Sequence, residues 1–251
     1  MASSDDAAVH TDRRRASSFG VAAEAYDRYR PRYPDALITD LVAAQGATVL
    51  DVGAGTGIAS EQLSAAGAEV LAVEPDDRMA SVAADKGIAV ERSDFEHWEP
   101  AGRTFDMVVF AQSFHWVEPR SALRKIGRLL RPNGRLALVW NRIIPITPSQ
   151  AELDEGYAAF LDTTARPSVH AEDELTGVIE ASGFRTQRRT YATRQHYSAD
   201  QWLNMVFTYS NHLLLPADAQ ARLRADLYLR IGPSGVSAEN DALAIVCAPA
   251  R

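Results

Sequence analysis

The sequence predicts an α/β fold, a seven-stranded and mostly parallel sheet with helices on both faces and a helical cap. Three observations carry this. Short apolar runs alternate with stretches of helical period, the order that right-handed crossovers turn into a parallel sheet. The first run, residues 47–52, ends in a loop with Gly53, Gly55 and Gly57 at alternate positions, after which Ile58, Ala59, Leu63 and Ala66 recur at helical spacing. The second run, residues 70–73, ends in Glu74, 21 positions after Gly53. Strand, tight loop and helix, followed by an acidic strand end, form the opening unit of a nucleotide-binding sheet.

Each element follows from its own residues. Phe19, Ala22, Ala25, Tyr26 and Tyr29 share a helical face; Pro31 and Pro34 break it, and Asp35 caps a helix through residue 44. Strand 47–52 and its helix to 66 stop at Gly67, strand 69–74 leads into a helix over about 76–86, and Gly87 ends that helix. Strand 88–92 runs into Ser93-Asp94-Phe95-Glu96, and 106–111 is the fourth strand. The helix over 119–130 directs Leu123, Ile126 and Leu130 inward and Arg124, Lys125, Arg128 and Arg131 outward; Asn133-Gly134 then turns into strand 135–140. Beyond Asn141 come a helical patch (151–161), a helix (172–181), a strand (184–191), two helices (199–215 and 217–231) and a last strand (243–248). The organisation expected is a disordered tail over 1–18 and one domain over 19–251. Its core sheet lies at about 47–141, its cap is built from 19–46 and about 195–240, and its last strand lies at about 242–248.

A chain of 251 residues holds one such domain with a cap, and 46% apolar with 24% charged residues is ordinary globular composition. A net charge of −7 argues against a broad cationic nucleic-acid surface. Cys247 is the one cysteine, so neither an internal disulfide nor a cysteine metal cluster can form, and its apolar neighbours predict a buried strand position. The scattered histidines predict no metal. No apolar run approaches the ~20 residues of a membrane span. Arg13-Arg14-Arg15 lacks the apolar stretch that an export signal needs. The expectation is a cytoplasmic monomer or homodimer whose partner is a small molecule, with neither nucleic acid nor membrane.

Glycine spacing separates two ligand classes. A dinucleotide fingerprint places its third glycine at position 58, which is Ile58; the spacing here is G-x-G-x-G. Leu50-Asp51-Val52-Gly53-Ala54-Gly55-Thr56-Gly57, Val73-Glu74-Pro75 and Leu130-Arg131-Pro132-Asn133-Gly134 resemble the motifs of class I S-adenosylmethionine-dependent methyltransferases. The resemblance covers about residues 19–141. Phe19-Gly20-Val21-Ala22, Tyr26, Arg30-Pro31, Tyr33-Pro34 and Ala111-Gln112-Ser113-Phe114-His115-Trp116 resemble its small-molecule branch, which includes trans-aconitate methyltransferases. The resemblance implies a Rossmann-like sheet whose final strand inserts antiparallel. It also implies S-adenosylmethionine as cofactor, S-adenosylhomocysteine as product, and a small organic acceptor methylated on oxygen.

The cofactor-binding candidates are Tyr26, Arg30, Asp51, Gly53, Gly55, Gly57, Glu74, Asp94, Phe95 and Ala111. Glu74 is placed to accept from both ribose hydroxyls and Asp94 from the adenine amino group, with Phe95 beside the ring; Asp51 sits near the amino-acid end. His115 is the catalytic candidate, as a base or to orient the acceptor. The Ala-Gln-Ser-Phe at 111–114 departs from the Asn/Asp-Pro-Pro-aromatic signature of base and protein-amide N-methyltransferases, which argues against a nucleobase acceptor. Trp116, Trp140, Tyr157, Trp202, Phe207 and Tyr209 are candidates for an apolar pocket, and Arg142 and Arg194 for an acidic substrate, although 24 arginines against two lysines make any one arginine a weak signal. The alternatives are a catalytically silent methyltransferase-like binding protein and an NAD(P)-dependent oxidoreductase. The latter lacks its Tyr-x-x-x-Lys, since Val82 precedes Lys86 and Ser121 precedes Lys125 at that spacing.

Overall fold

The computed structural model of the chain describes residues 20–42, 44–161 and 169–250; Phe19 and the tail expected over 1–18 lie outside them. A 3-10 turn (Gly20–Ala22), α1 (Ala23–Tyr29) and α2 (Asp35–Leu41) lead into the sheet. Then β1 (Thr48–Val52), α3 (Ile58–Ala65), β2 (Glu69–Val73), α4 (Asp77–Asp85), β3 (Ala89–Glu91) and β4 (Phe105–Ala111) follow. After them come α5 (Pro119–Leu129), β5 (Leu130–Trp140), β6 (Ile143–Thr147), α6 (Gln150–Tyr157) and α7 (Val169–Ala181). The chain closes with β7 (Phe184–Tyr197), α8 (Ala199–Val206), α9 (Ser210–Leu213), α10 (Ala217–Ile231) and β8 (Val236–Pro249).

Strands β3-β2-β1-β4-β5 pair in parallel, and β8 joins antiparallel beside β5. β7 pairs with β8 from Phe184↔Pro249 to Tyr197↔Val236, and β6 pairs with the first half of β8, from Ile143↔Asn240 to Thr147↔Ser237. The sheet therefore has eight strands where the pattern predicts seven. The added strand is β6, hidden by Pro145, which removes a ladder donor and confines such a run to an edge. β8 is longer than expected because its first half is not continuously apolar. Val236, Ala238 and Asn240 turn inward while Ser237 is exposed, the period of a half-buried strand. The helix expected over 199–215 is two, α8 and α9, divided at Phe207–Tyr209.

Alternation along the strands splits the core. Leu50 and Val52 of β1 join Val108, Phe110, Leu136 and Leu138 on the face covered by Leu123, Ile126 and Leu129 of α5 and Ile179 of α7. Val49, Val109 and Val139 face the other side, against Leu37, Ile38 and Leu41 of α2 and Leu63 of α3. A third cluster lies in the cap, where α6, α8 and α10 bury Leu153, Trp202, Leu203, Leu223 and Leu227 against Val236 and Ala238. One polar buckle ties the bend between β5 and β6 to its neighbours. Buried Asn240 donates to Asn141 Oδ1 (2.7 Å) and accepts from Arg142 N (3.0 Å), while Asn141 Nδ2 donates to Pro31 O (3.0 Å). Lys125 departs from the outward face predicted for it: it is half-buried, its ammonium against the segment after β3.

Candidate active site

A cleft of about 990 Å³ opens at the carboxyl ends of β1, β2 and β4, with β1 flanked by β2 and β4, the place where an open α/β sheet binds ligands. Gly53, at φ +65°, ends β1. A Cβ there would lie 2.7 Å from Ser113 Cβ, so only glycine lets this loop close against the segment following β4. Gly53 N donates to Val73 O (2.8 Å), which stitches the loop to the end of β2.

Glu74 stands where that stitch ends. It is 7% exposed, its Oε2 accepts from Gly55 N (2.8 Å) and its Oε1 from Asp76 N (2.9 Å). Burial pushes the carboxyl up to about 7, against the pull of these two hydrogen bonds. Each oxygen keeps capacity for one more bond, so the side chain is both fixed and available. Asp51 lies deeper and does not line the cleft. Its Oδ2 accepts from Ser60 Oγ (2.6 Å), its Oδ1 is buried with no hydrogen-bond partner, and burial pushes it up to about 6. Gly57 also stays off the cleft wall; its Cβ position lies 3.0 Å from Ala83 Cβ, so it serves the contact between α3 and α4.

The remaining candidates converge. Asp94, Phe95, Ala111 and His115 all line the cleft. Asp94 Oδ1 accepts from His97 N (2.9 Å) and lies 2.6 Å from His97 Nδ1. Phe95 is anchored edge-on to Phe110 at 5.5 Å. His115 is exposed in the 3-10 turn Phe114–Trp116, its ring 4.7 Å from that of Trp116. On the opposite wall Tyr26 and Arg30 come from the leading segment. The Arg30 guanidinium lies between the rings of Tyr26 (4.6 Å) and Tyr209 (4.1 Å), and its Nη2 donates to Thr208 O (3.1 Å). Its Nε is buried without a hydrogen-bond partner. Tyr33 is buried beside Gln112, and burial raises its phenol.

Of the aromatic candidates only Trp116 and Tyr209 line the cleft; Trp202 and Tyr157 fill the cap core, and Trp140 and Phe207 pack against core clusters. Neither Arg142 nor Arg194 lines it. Arg142 is spent on Glu172 (2.7 Å) and Asp241, and Arg194 lies exposed near Glu239 (3.7 Å). Cys247 is fully buried in β8, which pushes its thiol up to about 12. Met79, Ser210 and Asn211 line the cleft without being singled out by sequence. Met79 belongs to the apolar stripe of α4, whereas Ser210 and Asn211 open a one-turn helix that no periodicity marks. Among the described residues no three His, Cys, Asp or Glu side chains gather to hold a metal ion, and no helix is long and apolar enough to cross a membrane.

Residues 50–138 match a family model described as a methyltransferase domain. An uncharacterized methyltransferase of Mycobacterium tuberculosis is 42% identical over 126 residues, 49% of this chain and 52% of that protein, so the match spans about half the length of this curated relative. The demethylmenaquinone methyltransferase of Thermobifida fusca is 31% identical over 213 residues, 76% of this chain and 89% of the relative. Among solved structures the YcgJ protein of Bacillus subtilis is similar in fold, with a TM-score of 0.56 over 86% of this chain and 98% of that one at 20% identity. With the glycine loop and the acidic end of β2 on one cleft and the antiparallel β8 beside β5 in the sheet, the chain belongs to the class I S-adenosylmethionine-dependent methyltransferases.

Proposed function

We propose that this chain moves the methyl group of S-adenosylmethionine to an oxygen, carboxylate or hydroxyl, of a small organic acceptor. The observation that carries the cofactor half is Glu74, a buried carboxylate pinned by two backbone N–H groups at the mouth of the glycine loop with an acceptor position left on each oxygen. The left-handed turns at Gly53 and Gly55, both on the cleft wall, fit the same group. Gly53 and Gly55 hold its amino-acid end, with Asp51 beneath the loop tied to Ser60 of α3, Glu74 its ribose, and Asp94 with Phe95 its adenine. Tyr26 and Arg30 close over it from the leading segment.

Bound S-adenosylmethionine supplies an electrophilic methyl on a sulfonium. The work left to the chain is alignment and exclusion of water. Trp116, Tyr209, Ser210 and Asn211, which line the same cleft, are the residues we assign to the acceptor. A carboxylate acceptor is already ionised at neutral pH and needs no base. A hydroxyl acceptor needs one, a role we give to His115, the cleft-lining histidine of the 111–116 segment. The resemblance of residues 19–34 and 111–116 to the trans-aconitate branch supports the carboxylate.

Calorimetric titration of S-adenosylhomocysteine tests the first half. Wild type should bind, and Glu74→Ala should weaken binding by about 1 kcal/mol or more. A folded wild-type protein that binds none defeats the reading. For the second half, aliphatic and tricarboxylic acids should yield methyl esters. Methylation of phenols or activated carbons alone would overturn it, and the Thermobifida relative makes a demethylmenaquinone the carbon acceptor to include.

A further inference from the structure

The chain has 24 arginines and two lysines, and one lysine sits where three carbonyls meet. Lys125 Nζ, half-buried on α5, donates to Phe95 O (2.6 Å), Glu96 O (3.3 Å) and Trp98 O, and lies 4.9 Å from the Phe95 ring. An ammonium offers three donors from one point, whereas a guanidinium is a flat fork that cannot converge on three acceptors in this way.

The segment it gathers is the one that carries Asp94 and Phe95. Asp94, Phe95, Glu96 and His97 line the cleft on one side. On the other side a second hollow of about 430 Å³ is lined by Glu96, Trp98, Glu99 and Lys125 itself. The backbone at 95–98 is thus a partition between two spaces. Phe95 and Trp98 anchor it by their side chains, and Asp94 accepts from His97 N and Trp98 N within the turn. Of the contacts that reach its carbonyls, those from Lys125 come from a helix of the core. Without them the Phe95 and Trp98 carbonyls lose the donor that ties them to α5, and the turn is free to shift.

We propose that Lys125 is a positioning residue for the adenine end of the cofactor, setting through these carbonyls where Asp94 and Phe95 stand in the cleft. This rests on the reading of the cleft given above. The test is calorimetry with S-adenosylhomocysteine and with adenosine, well below the thermal transition, together with amide exchange of the peptides spanning 94–98 in the ligand-free protein. Lys125→Met should raise both dissociation constants about tenfold and speed exchange at His97 and Trp98. Lys125→Arg should not restore wild-type affinity, because the charge is kept and the geometry lost. Lys125→Gln, with two donors and no charge, replaces the Met variant if that one does not fold. A wild type that binds no S-adenosylhomocysteine defeats the cofactor reading and this inference with it. A wild type that binds, beside folded variants within about twofold of it and with unchanged exchange, defeats the role of Lys125 alone.

Discussion

Glu74 joins the position of one side chain to a pH dependence. On the proposed reading, in which Glu74 holds the ribose, only the ionised carboxylate can accept from two hydroxyls while holding Gly55 N and Asp76 N, and burial pushes its pKa up to about 7. Affinity for S-adenosylhomocysteine should therefore rise about tenfold between pH 6 and 8, and Glu74→Gln should flatten the profile in a calorimetric pH series. The stability of the ligand-free protein runs the other way. The folded pKa lies above the unfolded one, so this contribution is full below about 4.5 and is lost as pH rises through about 7. Thermal unfolding of wild type against Glu74→Gln at pH 5 and 8 reads that difference, with the variant gaining at pH 8. The identity of Glu74 was legible because a strand end fixes which way its residue faces. The partner of Asp51 was not, since Ser60 reaches it only once α3 has folded back over β1.

The loop between β1 and α3 shows what an element demands of its residues. At Gly53 a side chain meets both a left-handed backbone and Ser113 Cβ at 2.7 Å. Gly53→Ala should cost about 2 kcal/mol or more in urea unfolding and weaken S-adenosylhomocysteine binding as the loop shifts. The strands and helices from β1 to β5 were readable because local pattern and burial agree there: continuous apolar runs for strands covered on both faces, and three-four spacing between them. β6, the first half of β8 and the second half of β7 were not. The outer part of β7 is mostly polar, with exposed residues between half-buried Tyr191, Thr193 and Tyr197, and it stays extended because fourteen residues of β8 pair along the strand. Edge strands of this kind take their conformation from a neighbour rather than from their own composition.

At the scale of the molecule, the two hydrophobic clusters of the sheet and the third in the cap are bridged by the leading segment, whose Tyr26 packs on a sheet cluster and Tyr29 on the cap cluster. Arg30 is the rivet: it is stacked between Tyr26 and Tyr209 and bonded to Thr208 O, and a network of Lys86, Asp27, Glu61 and Arg32 ties α1 down to α3 and α4. Arg30→Met should leave the sheet core protected and speed amide exchange in residues 205–213, a split that exchange mass spectrometry resolves by peptide. The sequence by itself determined the fold class, the cofactor class and the wall of the cleft built on β1, β2 and β4. Those features depend on strand ends and glycine positions, which are local and periodic. Tertiary structure decided which side chains complete the cleft. Tyr209, Ser210 and Asn211 reach the cleft only because α6, α8 and α10 pack as a separate core above it, and Lys125 turns inward only because three carbonyls wait there. Contacts between residues far apart in the chain leave no period to read, so they had to be found in the fold.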